Sequence, residues 1–145
     1  MRSTLAQLGI GAVGPVGPTL FVCTLNSARS QLAAALWTQM TGTPGTSAGT
    51  HPAAEVHPAA VAAGARAGLD LSDAIPRTLD DATSPAPPSV VTVCDRAHEE
   101  LDDHPSWWHW SVPDPVAVGT EAAFDDVVAE LTQRISTVFR PDHAA

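Results

Sequence analysis

Tyrosine and lysine are absent from the 145 residues, and all seven basic side chains are arginines. Sixteen acidic residues oppose them, for a formal charge of −9. A nucleic acid or an anionic membrane surface would be repelled over most of such a protein, which excludes both as general partners. Cysteine is nearly missing too, with only Cys23 and Cys94 present. Two are too few for a disulfide-stapled secreted domain, and they lie too far apart for a pair of zinc ligands, so a reducing cytoplasm is the expected compartment. No long apolar run exists either. The stretch from Leu5 to Val16 is broken by Gly9, Gly11, Gly14 and Pro15, which argues against a signal-peptide core or a spanning helix. Residues 1–18 read as a flexible arm or a short extra helix. One domain over residues 19–140 and a tail at 141–145 account for the rest, because a chain of this length supports a single core.

What is present alternates between two periods. Leu20-Phe21-Val22-Cys23 is a short apolar run behind Pro18, as in a buried strand. From Ser30 to Met40 apolar positions recur every four residues at Leu32, Leu36 and Met40, with Gly42 and Pro44 ending the helix. A second extended piece is expected at Thr46–Ala48. The next helix holds Pro58 in its first turn and has Val61, Ala65 and Leu69 as its expected buried stripe. Ser89 to Cys94 is β-branched almost throughout and follows the Pro85–Pro88 stretch, so it reads as the clearest strand. A last strand is expected near Trp108–Val112. The spacing of Phe124, Val127, Val128, Leu131, Ile135 and Val138 predicts a C-terminal helix stopped by Pro141. Strands alternating with helices imply an α/β fold, a single three-layer domain with a small, mostly parallel four-stranded sheet and helices on both faces. Ligands of such sheets bind beyond the carboxyl ends of the strands. That places Cys23 to Arg29, Cys94-Asp95 and the surroundings of Asp114 where chemistry is expected.

The segment Cys23-Thr24-Leu25-Asn26-Ser27-Ala28-Arg29-Ser30 joins the first strand to the first helix. A loop in that position turns consecutive amides inward as a nest for a tetrahedral anion, with the positive end of the helix dipole behind it. Arg29 can offer two parallel N–H donors to such an anion. The same field should lower the Cys23 thiol and make it a nucleophile, with Ser30 donating a hydrogen bond to the sulfur.

This loop resembles the phosphate loop of the low-molecular-weight protein tyrosine phosphatase superfamily, and of its arsenate reductase branch in particular. Further matches follow in order: Ser47-Ala48-Gly49-Thr50, Val56-His57-Pro58, Gly68-Leu69-Asp70-Leu71-Ser72, Val90 to Asp95, His109-Trp110 and Pro113-Asp114-Pro115. The resemblance implies that Cys23 attacks the central atom of a small oxyanion (arsenate, phosphate or sulfate) held by residues 24–30, while Asp114 protonates the departing oxygen. It offers two enzymes. A phosphatase would hydrolyse the phosphocysteine, and members of that branch place tyrosines after the acid, where Val116 stands here. An arsenate reductase would pass the adduct to a second thiol.

Cys94 is the candidate for that thiol, although Leu101 stands where thioredoxin-linked members carry a third cysteine. Two routes stay open: a Cys23–Cys94 disulfide reduced by a redoxin partner, or direct attack by an external thiol such as mycothiol or glutathione. A third reading keeps the loop as a non-catalytic oxyanion-binding or partner-binding module. Leu25 replaces a frequent glycine. Ala34 replaces a glutamate that helps hold potassium near Asn26 in some members, so no metal is expected.

Other features invite plainer readings. The cluster His104, Trp107, Trp108, His109 and Trp110 is expected to cover the sheet edge, with one tryptophan on the rim near Asp114 and no metal bound. His51 and His57 read as caps or solvated groups. Glu99, Glu100, Asp102 and Asp103 read as a solvated acidic face.

Overall fold

The computed structural model describes residues 14–83, 87, 89–101, 104 and 106–139. The strands are β1 (Thr19–Cys23), β2 (Gly45–Gly49), β3 (Ser89–Thr92) and β4 (Trp108–His109). The helices are α1 (Arg29–Thr41), α2 (Pro58–Arg66), α3 (Leu79–Ala82), α4 (Asp95–Glu100), α5 (Pro115–Val118) and α6 (Glu121–Val138). The sheet order is β2-β1-β3-β4, and every pairing is parallel. β1 is therefore interior, paired on both edges. Its unbroken apolar run follows from that place, since Leu20, Phe21 and Val22 are completely buried.

Helix α1 packs across β1 and β2, and α6 lies against α1 and α2. The pattern expected for α6 is the one observed: Phe124, Val127, Leu131 and Ile135 are buried. Trp37 of α1 meets Phe21 edge-on at 5.7 Å, and Trp110 meets the same ring at 5.8 Å. The buried Trp37 indole N–H is satisfied by the Gly17 carbonyl at 2.9 Å. Ser89 binds both backbone groups of Val16, so residues 16 and 17 run against the body of the domain. Of the expected arm, residues 1–13 lie outside the described residues, as do the tail and Pro141.

Several expectations need correction. Helix α2 does not bury Val61 and Ala65; it buries Ala60, Ala63 and Gly64, while Leu69 is buried just beyond its end. Small residues decide this face because the helix comes close to its neighbours. A Cβ on Gly64 would lie 3.3 Å from Leu71 Cδ1. Strand β3 ends at Thr92, two residues short of Cys94, and β4 has only two residues. The short helices α3, α4 and α5 carry too few turns to leave an apolar period in the sequence. Asp114 and Pro115 nevertheless form a regular start for α5, with the carboxylate accepting from the Val116 amide at 3.0 Å.

Gly45 opens β2 directly against α1, where a Cβ would run into the Ala34 carbonyl and lie 3.0 Å from Trp37 Cβ. Both obstacles belong to a packed helix and cannot swing aside. Gly45→Ala is expected to cost about 1–3 kcal/mol, read as a lower urea midpoint at unchanged slope.

Candidate functional site

The loop after β1 is shaped by what its carbonyls do. The carbonyls of Cys23, Thr24, Leu25 and Ser27 accept from the amides of Thr50, His51, Ala53 and His57, at 2.8–3.1 Å. In a trans peptide each N–H points opposite to the preceding C=O. The amides of Thr24, Leu25, Asn26 and Ala28 are therefore turned to the other, concave side, and the Asn26 amide reaches Cys23 Sγ at 3.2 Å. Asn26 makes the bend possible. It has φ of 53°, a left-handed conformation that asparagine tolerates better than most residues, and it is fully buried. Its Oδ1 accepts from the Arg77 amide at 2.9 Å, its carbonyl accepts from Gln31 Nε2 at 3.1 Å, and its Nδ2 donates to Ser30 Oγ at 2.7 Å. Because Ser30 Oγ already accepts that bond, its own proton is free for Cys23 Sγ, 2.9 Å away.

The loop is also enclosed from outside. At Gly49, the last residue of β2, a Cβ would stand 2.6 Å from the Thr24 carbonyl oxygen and 3.0 Å from Asn26 Cβ. Only a residue without a side chain lets the sheet edge approach so closely.

Arg29 opens α1 and reaches across the cleft. One guanidinium nitrogen donates to the Val112 carbonyl at 2.8 Å, and another lies 4.0 Å from Asp114 Oδ1. Cys94 is buried at the head of α4, where Sγ accepts from the Ala97 amide at 3.3 Å and contacts Thr24 Oγ1 at 3.3 Å. One cleft of about 570 Å3 is lined by Cys23, Thr24, Leu25, Ser27, Ala28, Arg29, Cys94 and Asp114. Asn26 and Ser30 lie beneath it, without surface exposure.

The electrostatics differ from the sequence expectation at Cys23. Burial pushes its thiol above the ordinary value. The Ser30 side chain and backbone pull it down, the neighbouring Cys94 thiol adds to the rise, and the Asn26 amide lowers it. The physical reason is that Cys23 is only 3% exposed, while the guanidinium meant to favour its thiolate is aimed at Val112 and Asp114.

Asp95, expected among the strand-end candidates, lines the cleft, and so does Arg96, which the sequence does not single out. Ser111, and then His109 at 2.9 Å, hold the Asp95 carboxyl below the usual carboxylate range. His109 also binds Thr92 Oγ1 at 2.8 Å and stacks on His98 at 4.1 Å, and His104 stacks on Trp107. No tryptophan lines the cleft, contrary to expectation; its exposed large apolar residues are the aliphatic Leu25 and Val116, and the charged Asp95, Arg96 and Asp114 are exposed beside them. Glu100 is more than a solvated acid, because Thr50, then His51, depress its pKa and tie α4 to the segment that holds the loop carbonyls. Asp102 and Asp103 lie outside the described residues. His57 caps α2 as read, accepting from the Ala59 amide at 3.0 Å. Among the described residues no three His, Cys, Asp or Glu side chains gather as metal ligands, and no helix is long and apolar enough to cross a membrane.

A parallel α/β sheet with a cysteine, a cradle of amides and an arginine at the carboxyl edge of its central strand defines a class of oxyanion-handling domains. Within that class the chain belongs to the low molecular weight phosphotyrosine protein phosphatase family, whose model matches residues 19–141. Solved structures of similar fold fall into two groups. The tyrosine phosphatase Wzb from Escherichia coli K30, in complex with sulphate, is 18% identical at a TM-score of 0.74, over 84% of this chain and 95% of that one. An arsenate reductase from Archaeoglobus fulgidus is 27% identical at 0.66, over 81% and 94%. A further arsenate reductase, in a phosphate-binding state, is 23% identical at 0.70, over 83% and 95%.

Ser30 donates to the sulfur, so removing its hydroxyl withdraws support from the thiolate and raises the pKa further. A hydrogen bond to a charged group contributes about 1.5–3 kcal/mol, which corresponds to roughly one to two pH units. Ser30→Ala should move the midpoint of Cys23 alkylation by iodoacetamide upward by that amount, measured by mass spectrometry across pH.

Proposed function

We propose that the protein is a thiol-dependent arsenate reductase. The observation that carries this reading is that Cys94 lines the same cleft as Cys23, its buried Sγ in contact with the hydroxyl of Thr24, the residue after Cys23. Hydrolysis of a phosphocysteine needs no second thiol, and the mouth presents Leu25 and Val116 rather than an aromatic wall for a phenyl ring. The arsenate reductase relative at 27% identity supports the same choice.

In this reading the amides of residues 24–28 and the Arg29 guanidinium hold arsenate with its arsenic facing Cys23 Sγ. The Cys23 thiolate attacks arsenic, an As–S bond forms, and one oxygen departs as water with a proton from Asp114. A second thiolate then attacks Cys23 Sγ. An S–S bond forms, the As–S bond breaks, and its electron pair stays on arsenic, which leaves as arsenite, reduced from As(V) to As(III). The attacking sulfur is Cys94 or an external thiol. Two electrons from mycothiol, glutathione or a redoxin return the disulfide to two thiols. This chemistry suits a reducing cytoplasm. Arg29 acts first as a tether of the segment that carries Asp114, so one side chain sets the distance between anion and acid.

Arsenite formation is measured with dithiothreitol, mycothiol, glutathione or thioredoxin systems as reductants. Cys23→Ser is expected to abolish it, and Asp114→Asn to lower kcat by about 10²-fold or more. Cys94→Ser lowers turnover if Cys94 is the attacking thiol, and unchanged turnover with a small thiol assigns the attack to the external donor. Aryl phosphate hydrolysis without arsenate turnover would make the protein a phosphatase instead; phosphate binding with neither activity would make it a binding module.

A further inference from the structure

A second concavity adjoins the cleft and shares a wall with it. It encloses about 300 Å3 between α5 and α6, and Pro113 and Asp114 line both spaces. Its interior is apolar: Pro115 and Val127 are buried at its walls, and Val118 stands 66% exposed at its edge. Three carboxylates ring it, those of Asp114, Asp126 and Glu130. Arg134 neutralises Glu130 at 2.7 Å, and Arg29 lies 4.0 Å from Asp114. Asp126 is exposed and has no ion pair with any described residue.

An apolar socket with one unneutralised carboxylate, on a chain of charge −9, complements a particular kind of side chain. It suits an aliphatic stem ending in a cation, which buries its methylenes and leaves its charge at the rim. The placement suggests what carries that side chain. Leu25, Val116 and Val118 are exposed apolar residues beside the two spaces, so a surface that covers one readily covers the other. A free small thiol would occupy the cleft alone, whereas a protein thiol arrives with neighbouring residues attached.

We propose that the socket receives an arginine or lysine side chain of a thiol-bearing donor protein while the donor thiol enters the cleft. This rests on the reductase reading, in which such a thiol resolves the Cys23 adduct or its disulfide. The socket then acts as a specificity site for the reductant, not for the oxyanion.

The test uses the full chain and two thiol peptides, N-acetyl-Cys-Gly-Arg-amide and its citrulline counterpart, which keeps the stem and lacks the charge. With arsenate as oxidant, KM for the arginine peptide is expected to be about fivefold lower at similar kcat, the upper range for an exposed ion pair. Asp126→Asn should erase that difference and leave turnover with dithiothreitol unchanged. Equal KM values for the two peptides on the unmodified protein overturn the proposal. A second measurement follows the methyl signals of Val118 and Val127 by NMR during titration with agmatine, and absence of a saturable shift also overturns it. If the unmodified protein forms no arsenite even with dithiothreitol, the reductase reading fails and the donor assignment with it, while the agmatine titration still reports on the socket itself.

Discussion

The site depends on the outward rotation of four carbonyls in the loop after β1. Once those of Cys23, Thr24, Leu25 and Ser27 are bound to the amides of residues 50–57, planarity of the peptide bond turns the intervening N–H groups toward the cleft. No side chain is needed to make this cradle polar, which is why Leu25 and Ala28 can sit within it. The cost of the bend falls on Asn26, and its side chain and backbone meet that cost with bonds to Arg77, Gln31 and Ser30. Gly49 completes the constraint from outside, since any side chain there would push the Thr24 carbonyl inward.

Charge at the site is balanced rather than one-sided. Arg29 is held between a neutral carbonyl and a carboxylate, and Cys23 between its burial and the Ser30 hydroxyl. Asp114 serves two partners with one oxygen, the Val116 amide of α5 and the guanidinium of Arg29. A variant that loses this carboxylate therefore loses a helix cap as well as a proton source. Asparagine, which caps nearly as well as aspartate, separates the two roles, whereas alanine does not.

How much of this was legible in the sequence varies with the range of the interaction. The order of β1, α1, β2, α2, β3 and α6 was readable because β1, α1, β3 and α6 carry clear apolar runs or periods and glycine and proline mark the stops between elements. The juxtaposition of Cys23, Arg29, Cys94 and Asp114 was readable because parallel sheets bring strand ends to one edge. The buried face of α2 was not, since helices in close approach are selected for small residues at the contact, and a search for large apolar residues passes over Ala60, Ala63 and Gly64. The thiol of Cys23 was misjudged for a similar reason. Motif logic counts the charges that a loop can offer, but burial depth and the direction of a guanidinium are properties of the assembled molecule. The places of Glu100 and Arg77, and the bond of Asp95 to His109, depend on contacts between segments apart in the chain, for which one sequence has no pattern.

The bonds from residues 50–57 to the loop bear on folding order. The cysteine-to-serine segment looks like a local motif, yet its shape is imposed by a stretch lying beyond both α1 and β2. A nascent chain ending at Thr41 would contain every residue of the loop and still lack its carbonyl partners. Closing that loop carries the entropic penalty of ordering the intervening chain, so the cradle cannot take its shape before residues 50–57 have been brought back against β1. Reactivity of the Cys23 sulfur is in this sense a product of tertiary assembly, and the thiol of a partly folded chain would have the chemistry of any exposed cysteine.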